Sequence, residues 1–277
     1  MDVQVLRSRV ENINTLPTIP GVLKHLSAII ENPKVSLSEI SHFVSNDPSL
    51  TTKVLKMVNS AVYGFPGRIS SVTHAIMLLG LNVVKGLLLG ISVFEVMQKA
   101  MLGLREHSLG CAVTARLIAQ KKGLKEPEEV SVGALLHDIG KVILALEFPA
   151  EYESAMNTAQ TRGIPIVEAE KTAFPEAHAA VGAWLAQKWR FPRGLVDMIE
   201  YHHCPNLSKS ASLETAIVHF SDVLVHARGL GFAGDDTVAA VDPAAFELLR
   251  FSQDDIKEIL RGLEDSIESS EEPWLDT

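Results

Sequence analysis

Apolar residues recur three and four positions apart along most of the chain, the spacing that gives a helix one buried face. The runs "VLKHLSAIIE" (22–31), "LTTKVLKMVNSAV" (50–62), "AIMLLGLNVVKGLLLGISVFEVM" (75–97) and "AVGAWLAQKW" (180–189) all follow it. Strict alternation never lasts for the length of a strand. The pattern therefore predicts an all-α fold of roughly a dozen helices. Breakers separate the runs: Pro17 and Pro20, Asn32-Pro33, Asp47-Pro48, Gly64 with Pro66 and Gly67, and then Pro127, Pro149, Pro175, Pro192 and Pro205. Ser36, with Glu39 three residues on, reads as an amino-terminal cap, as does Ser210 or Ser212 ahead of the next apolar run. The 75–97 run reads as a buried central helix, and Gly80, Gly86 and Gly90 within it read as sites of close helix packing. The stretch 229–246 is the most loop-like, and the acidic end "EDSIESSEEPWLDT" is expected to fray. Function is expected upstream of both.

Composition narrows the function classes. The 277 residues are 47% hydrophobic, enough for a substantial core. A formal charge of −9 gives no general attraction to phosphate backbones, and no basic patch offsets it, so no nucleic-acid partner is expected. The start has no signal-peptide pattern, and Asn82, Lys85, Ser92 and Glu95 interrupt the longest apolar run, so the reading is a cytoplasmic protein with no membrane partner. Cys111 and Cys204, the two cysteines, lack CxxC spacing and are expected as reduced thiols.

The histidines are placed unevenly. His25, His42 and His74 stand alone on helical patterns and are assigned no chemistry. The other seven lie between 107 and 226. His107 falls in "REHSLGCA", His137 beside Asp138 in "GALLHDIGKVIL", His178 in "PEAHAAVGAWL", His202-His203 in "IEYHHCP", and Asp222 in "HFSDVLVH". Imidazoles with carboxylates are the ligand mix of divalent first-row ions such as iron, manganese, nickel or zinc, whereas calcium and magnesium take oxygen shells. A bound cation also explains ionisable groups inside an apolar run, since isolated burial of a charge costs several kcal/mol or more.

On a helix, His137 and Asp138 point about 100° apart, so the histidine can bind one ion while the two-oxygen aspartate bridges to a second, about 3.5–4 Å away. Lys141, one turn after Asp138, lies over the same face, where it either holds an anionic substrate oxygen or stands exposed; spacing alone does not choose. Gly140 permits a kink or the close approach of another helix. His219 and His226 flank Asp222 and could orient ligands, but a core or surface role is preferred. Both thiols stay outside the ligand set.

The order His107, His137-Asp138, His178, His202-His203, Asp222 resembles the signature of the HD superfamily of metal-dependent phosphohydrolases. The stretch "SNDPSLTTKVLKMVNSAVYGFPGRISSVTHAIMLLGLNVVKGLLLG" (45–90) resembles the amino-terminal half of HDOD domains, a bacterial signalling branch of that superfamily. The resemblance spans about 14–228 and implies an amino-terminal lobe (1–101), a metal-binding lobe (102–228) and a carboxy-terminal extension with an acidic tail (229–277). It implies two divalent transition-metal ions, iron or manganese foremost: His107, His137, Asp138 and Asp222 on one, Asp138, His178, His202 and His203 on the other, with Asp138 and Lys141 as the catalytic pair. HDOD domains are usually described as regulatory modules that have lost much of the metal signature, whereas here it is intact. Cys204 stands where cyclic-di-GMP phosphodiesterases have a glutamate after the histidine pair, their "GYP" element is absent, and Gly103 occupies the place of a third-metal glutamate, so that activity is not inferred. The implied partners are a phosphoester or nucleotide ligand and a signalling protein. Either the chain hydrolyses the ligand, or it serves as a catalytically silent regulatory scaffold.

Overall fold

The computed structural model describes residues 2–12, 28, 29, 31, 32, 34–60, 63 and 69–268, with side chains for all of these except 37 and 94–100. The described residues form α-helices and one 3-10 turn, with no strand among them. In chain order the helices are α1 (Val3–Glu11), α2 (Leu37–Ser45), α3 (Pro48–Val58), α4 (Val72–Leu79), α5 (Leu81–Ala100), α6 (Leu104–Lys121), α7 (Pro127–Leu136), α8 (Ile139–Glu147), α9 (Pro149–Arg162), α10 (Ile166–Ala173), α11 (His178–Lys188), α12 (Arg193–Glu200), α13 (Ser212–Arg228), α14 (Pro243–Leu249) and α15 (Gln253–Glu268). Most of the 22–31 run, including His25, and the acidic tail past 268 lie outside the described residues. No described helix is long and apolar enough to cross a membrane.

Local chemistry sets the helix starts. Ser36 Oγ accepts from the Glu39 N–H at 3.1 Å while Glu39 Oε2 accepts from the Ser36 N–H at 2.7 Å, the reciprocal cap expected for α2. Asp47 caps α3, where Pro48 has no N–H to satisfy. The cap expected at Ser210 or Ser212 is not formed: α13 starts without a side-chain cap, and Ser212 Oγ donates to the Ser208 carbonyl instead.

The 75–97 run is two helices rather than one. Gly80 sits at φ +81° between α4 and α5, a left-handed conformation that stops the first helix cleanly. Beyond it, α5 is the buried central helix expected, packed on α3 and α4 on one side and on α6, α7 and α8 on the other. Gly86 and Gly90 serve close packing as read: a Cβ on them would stand 2.1 Å from Val132 of α7 and 2.9 Å from Leu135. Gly80 does not, since nothing among the described residues lies within 4 Å of a Cβ there and its role is the positive φ that ends α4. Around this seam, α6 packs on α7, α13 on α6, α11 on α8 and α12, and α15 on the outer side of α6. The histidine-bearing elements thus converge on one core, which includes Leu87, Leu109, Leu135, Ile139 and Ile199.

Candidate metal centre

His137 and Asp138 do not sit inside a helix. They form the junction between α7 and α8, with Asp138 at φ −96°, ψ 8°. The apolar run 133–144 is continuous in sequence, but the chain turns at its two ionisable residues, and the turn aims both inward. Residue 140 must be glycine for this to work, because a Cβ there would fall 1.9 Å from the His178 carbonyl oxygen at the start of α11. That contact brings His178 against Asp138.

The fold gathers all seven predicted histidines and aspartates. His107 from α6, Asp222 from α13 and His137 form one group: His107 Nε2 lies 3.1 Å from Asp222 Oδ1, and His137 Nε2 lies 3.8 Å from the same oxygen. His178, His202 and His203 form a second, with His178 Nε2 3.0 Å from His203 Nε2 and 3.3 Å from His202 Nε2. Asp138 stands between them. Its Oδ2 is 3.3 Å from His137 and 3.8 Å from His107, and its Oδ1 is 3.3 Å from His178 and 3.8 Å from His202. Asp138, His107, His137, His178 and His202 are buried; His203 and Asp222 are partly open and mark the side from which the site is reached.

Hydrogen bonds fix which nitrogen each imidazole presents. Carbonyl and carboxylate oxygens only accept, so the ring nitrogen facing one carries the proton. His137 Nδ1–H donates to the Ala134 carbonyl at 2.6 Å, His202 Nδ1–H to the Ile199 carbonyl at 2.8 Å, and His178 Nδ1–H to Glu170 Oε2 at 2.6 Å. Their Nε2 atoms are thereby turned to the centre. His137 Nε2 and Asp138 Oδ1 are buried without any hydrogen-bond partner, and the Nε2 atoms of His178 and His202 face each other at 3.3 Å. Unpartnered buried groups are costly. Oriented imidazoles around bare acceptors fit a cation, so the residues present suit the metal that the sequence implies.

Electrostatics agree. Burial, aided by neighbouring imidazoles, holds His202 and His203 well below the ordinary histidine value, so both present neutral rings. Burial disfavours the Asp138 and Asp222 carboxylates, yet His137 with Lys141 for the first, and His107 with His137 for the second, hold both well below their usual range. Burial also opposes the charged form of His137, but Asp138 and then Asp222 lift it to about 10. Its proton supplies the positive charge that a divalent ion would bring instead.

Lys141 is buried, which removes the exposed-lysine reading. Its ammonium donates to Asp138 Oδ2 at 2.7 Å and to the Ala233 carbonyl at 2.9 Å. The second contact brings the 229–246 stretch, expected to lie apart from function, against the candidate centre. That strap crosses the site, its Phe232 N–H donating to the Gly103 carbonyl and its Asp235 Oδ2 accepting from the Ile166 N–H.

Glu170 escapes sequence reasoning. It accepts from the His178 N–H at 2.9 Å as well as from the ring, and Tyr152 donates to its other oxygen at 3.1 Å. Either glutamate in "IVEAEKTA" reads as a solvated helix position, and only the place of Glu170 eight residues before His178 hints otherwise. His219 is a core residue, as preferred: Nδ1–H donates to the His202 carbonyl and Nε2 accepts from the Asp242 N–H, pinning the histidine pair and the strap together. His226 lies farther out, its ring centroid 6.3 Å from that of His107. Among the described residues, the His42 side chain bonds to Asn46. Cys111 is buried and Cys204 exposed, and both are free thiols.

Known proteins share this arrangement of helices. An HDOD domain protein of unknown function from Geobacter sulfurreducens has a solved structure that superposes with a TM-score of 0.68 at 27% identity, covering 96% of each chain. Among curated proteins, an uncharacterized protein of Treponema pallidum is 29% identical over 197 residues, 70% of this chain and 38% of that protein. Ribonuclease Y of Mycoplasmoides gallisepticum is 29% identical over 135 residues, 48% of this chain and 20% of that protein. The chain thus spans well under half the length of either curated relative. The model of the HDOD domain family matches residues 16–205, more than half of the chain, and with the all-helical fold and its solved neighbour this places the protein in the HDOD domain family.

Proposed function

We propose that the cluster holds two divalent first-row ions, iron or manganese foremost, and hydrolyses a small phosphoester or nucleotide in a bacterial signalling role. The observation that carries this reading is Asp138, whose two oxygens face two separate groups of inward-turned imidazoles. His107, His137, Asp138 and Asp222 would hold one ion, and Asp138, His178, His202 and His203 the other. Such a pair supplies Lewis acidity toward a phosphoryl oxygen and activates water. The protein's own part is to orient the rings through Ala134, Ile199 and Glu170, to keep water from most of the site by burial, and to keep Lys141 charged beside Asp138. For Lys141 burial favours the neutral amine, but Asp138, Asp222 and Glu170 together hold its pKa above the ordinary lysine value.

A ribonuclease among the relatives supports a phosphoester as substrate class, while the net charge of −9 favours a small one over a polyanion. A second reading has its own support. Lys141 is engaged by Asp138 and Ala233, and most of the site is buried, as suits a silent regulatory module that binds metal or a partner protein without turnover. Elemental analysis of the purified protein and turnover of bis-p-nitrophenyl phosphate, with Asp138→Ala as control, separate the two. Two ions per chain with Asp138-dependent turnover support the hydrolase. Metal without turnover supports the module, and no metal at all removes the hydrolase and leaves only a module that binds a partner protein.

A further inference from the structure

The seven histidines and aspartates make a ligand set without Cys111, yet its position puts it among them. It follows His107 by four residues on α6, so both side chains leave one face of the helix. The thiol is fully buried, and Sγ stands 3.5 Å from His107 Nε2. Sγ, one ring nitrogen each of His107 and His137, and an Asp222 oxygen all lie within 4.8 Å of one another. His107 Nε2 therefore faces Asp222 at 3.1 Å and the sulfur at once, although a ring nitrogen has one proton or one lone pair to offer. His137 Nε2, buried and unpartnered, is aimed into the same space. A thiolate and an imidazole on one ion, with bonds of about 2.3 and about 2.0 Å at a near-tetrahedral angle to each other, stand about 3.5 Å apart. That is the separation found between Cys111 and His107.

We propose that Cys111 is a sulfur ligand of the ion gathered by His107, His137 and Asp222, an inference that rests on the metal-centre reading above. The cation takes the place of the thiol proton, which leaves to solvent. The two halves of the centre then differ in chemistry: one mixes nitrogen, oxygen and sulfur, whereas the His178, His202 and His203 half offers imidazole and an Asp138 oxygen. Thiolate ligation favours softer ions, so the sulfur half selects iron(II), cobalt(II) or zinc over manganese or magnesium.

Cobalt(II) reports sulfur directly, because a cobalt–thiolate bond adds an intense near-ultraviolet charge-transfer band that imidazole and carboxylate do not produce. The chelator-stripped full chain is titrated anaerobically with cobalt(II), alongside Cys204→Ser, which retains Cys111 as its single thiol, and Cys111→Ser. The near-ultraviolet band is expected in the wild type and in Cys204→Ser, growing with the visible ligand-field bands, and lost in Cys111→Ser. Cobalt affinity in Cys111→Ser is expected to fall at least about tenfold, since even groups that only orient ligands are worth about 10–100-fold. Visible bands without the near-ultraviolet band in Cys204→Ser overturn the sulfur ligand while leaving the metal centre standing. A wild-type protein that takes up no cobalt overturns both. The Cys204→Ser spectrum decides the question even if Cys111→Ser does not fold.

Discussion

A carboxylate at the bottom of a helical core is tolerable only when its oxygens meet positive charge or donors. Asp138 meets Lys141 through one oxygen and lacks a hydrogen-bond partner on the other. Glu170 is its counterpart at the rim of the centre, spent on orienting His178. Glu170→Gln keeps the shape but loses the charge that fixes the ring's proton on Nδ1. Metal affinity is expected to drop about 10–100-fold, measured by competition with a chromophoric chelator. An unchanged affinity would make Glu170 a packing residue only. The residue scale also shows what the sequence makes readable. His107, His178, His202, His203 and Asp222 are legible because their order along the chain carries the information. Glu170 is not, because a helical run gives no sign of which polar side chain another helix will cover, and for Lys141 spacing leaves burial and exposure equally open.

Helices meet here at glycines whose neighbours differ in kind. At Gly140 the neighbour of an added Cβ is the His178 backbone, which cannot swing aside; at Gly133 it is the end of Met198, 2.6 Å away at Sδ and flexible. Gly140→Ala is expected to cost about 3 kcal/mol or more and to spoil the site, whereas Gly133→Ala should cost about 1 kcal/mol or less. Urea unfolding of the two variants checks the contrast; equal losses would mean that α8 and α11 can part without penalty. The helical periodicity of the 50–62 and 180–189 runs makes α3 and α11 readable from spacing alone. The breaks at Gly80 and at His137-Asp138 were not, since both interrupt runs whose apolar spacing continues across them, and only packing reveals where the axis must turn.

For the whole molecule, the centre ties α6, α8, α11 and α13 together with the junctions beside them, so its occupancy should be felt as global stability. An ion at about 100 times its Kd adds about 2.7 kcal/mol, which corresponds to a rise on the order of 5 °C in Tm. Thermal unfolding with added zinc or manganese, and again after chelation, is expected to show that rise and its reversal in the wild type and neither in Asp138→Ala. Indifference of the wild-type Tm to either treatment would count against any cation there. The all-α class was readable at this scale from helical spacing and the absence of alternation. The path of 229–242 was not, because turn-rich sequence says where the chain bends and nothing about what it bends over.

That path decides how the gene can be trimmed. Residues 16–205 are what the family model matches, and a fragment cloned to those limits would be missing Asp222 as well as the peptide oxygen of Ala233 that steadies the Lys141 ammonium. Such a fragment would keep six of the seven histidines and aspartates and lose the last of them together with the strap. Anyone probing the isolated domain should place the stop codon beyond the strap and its Asp235 anchor, or the loss of a property will report the trimming rather than the domain.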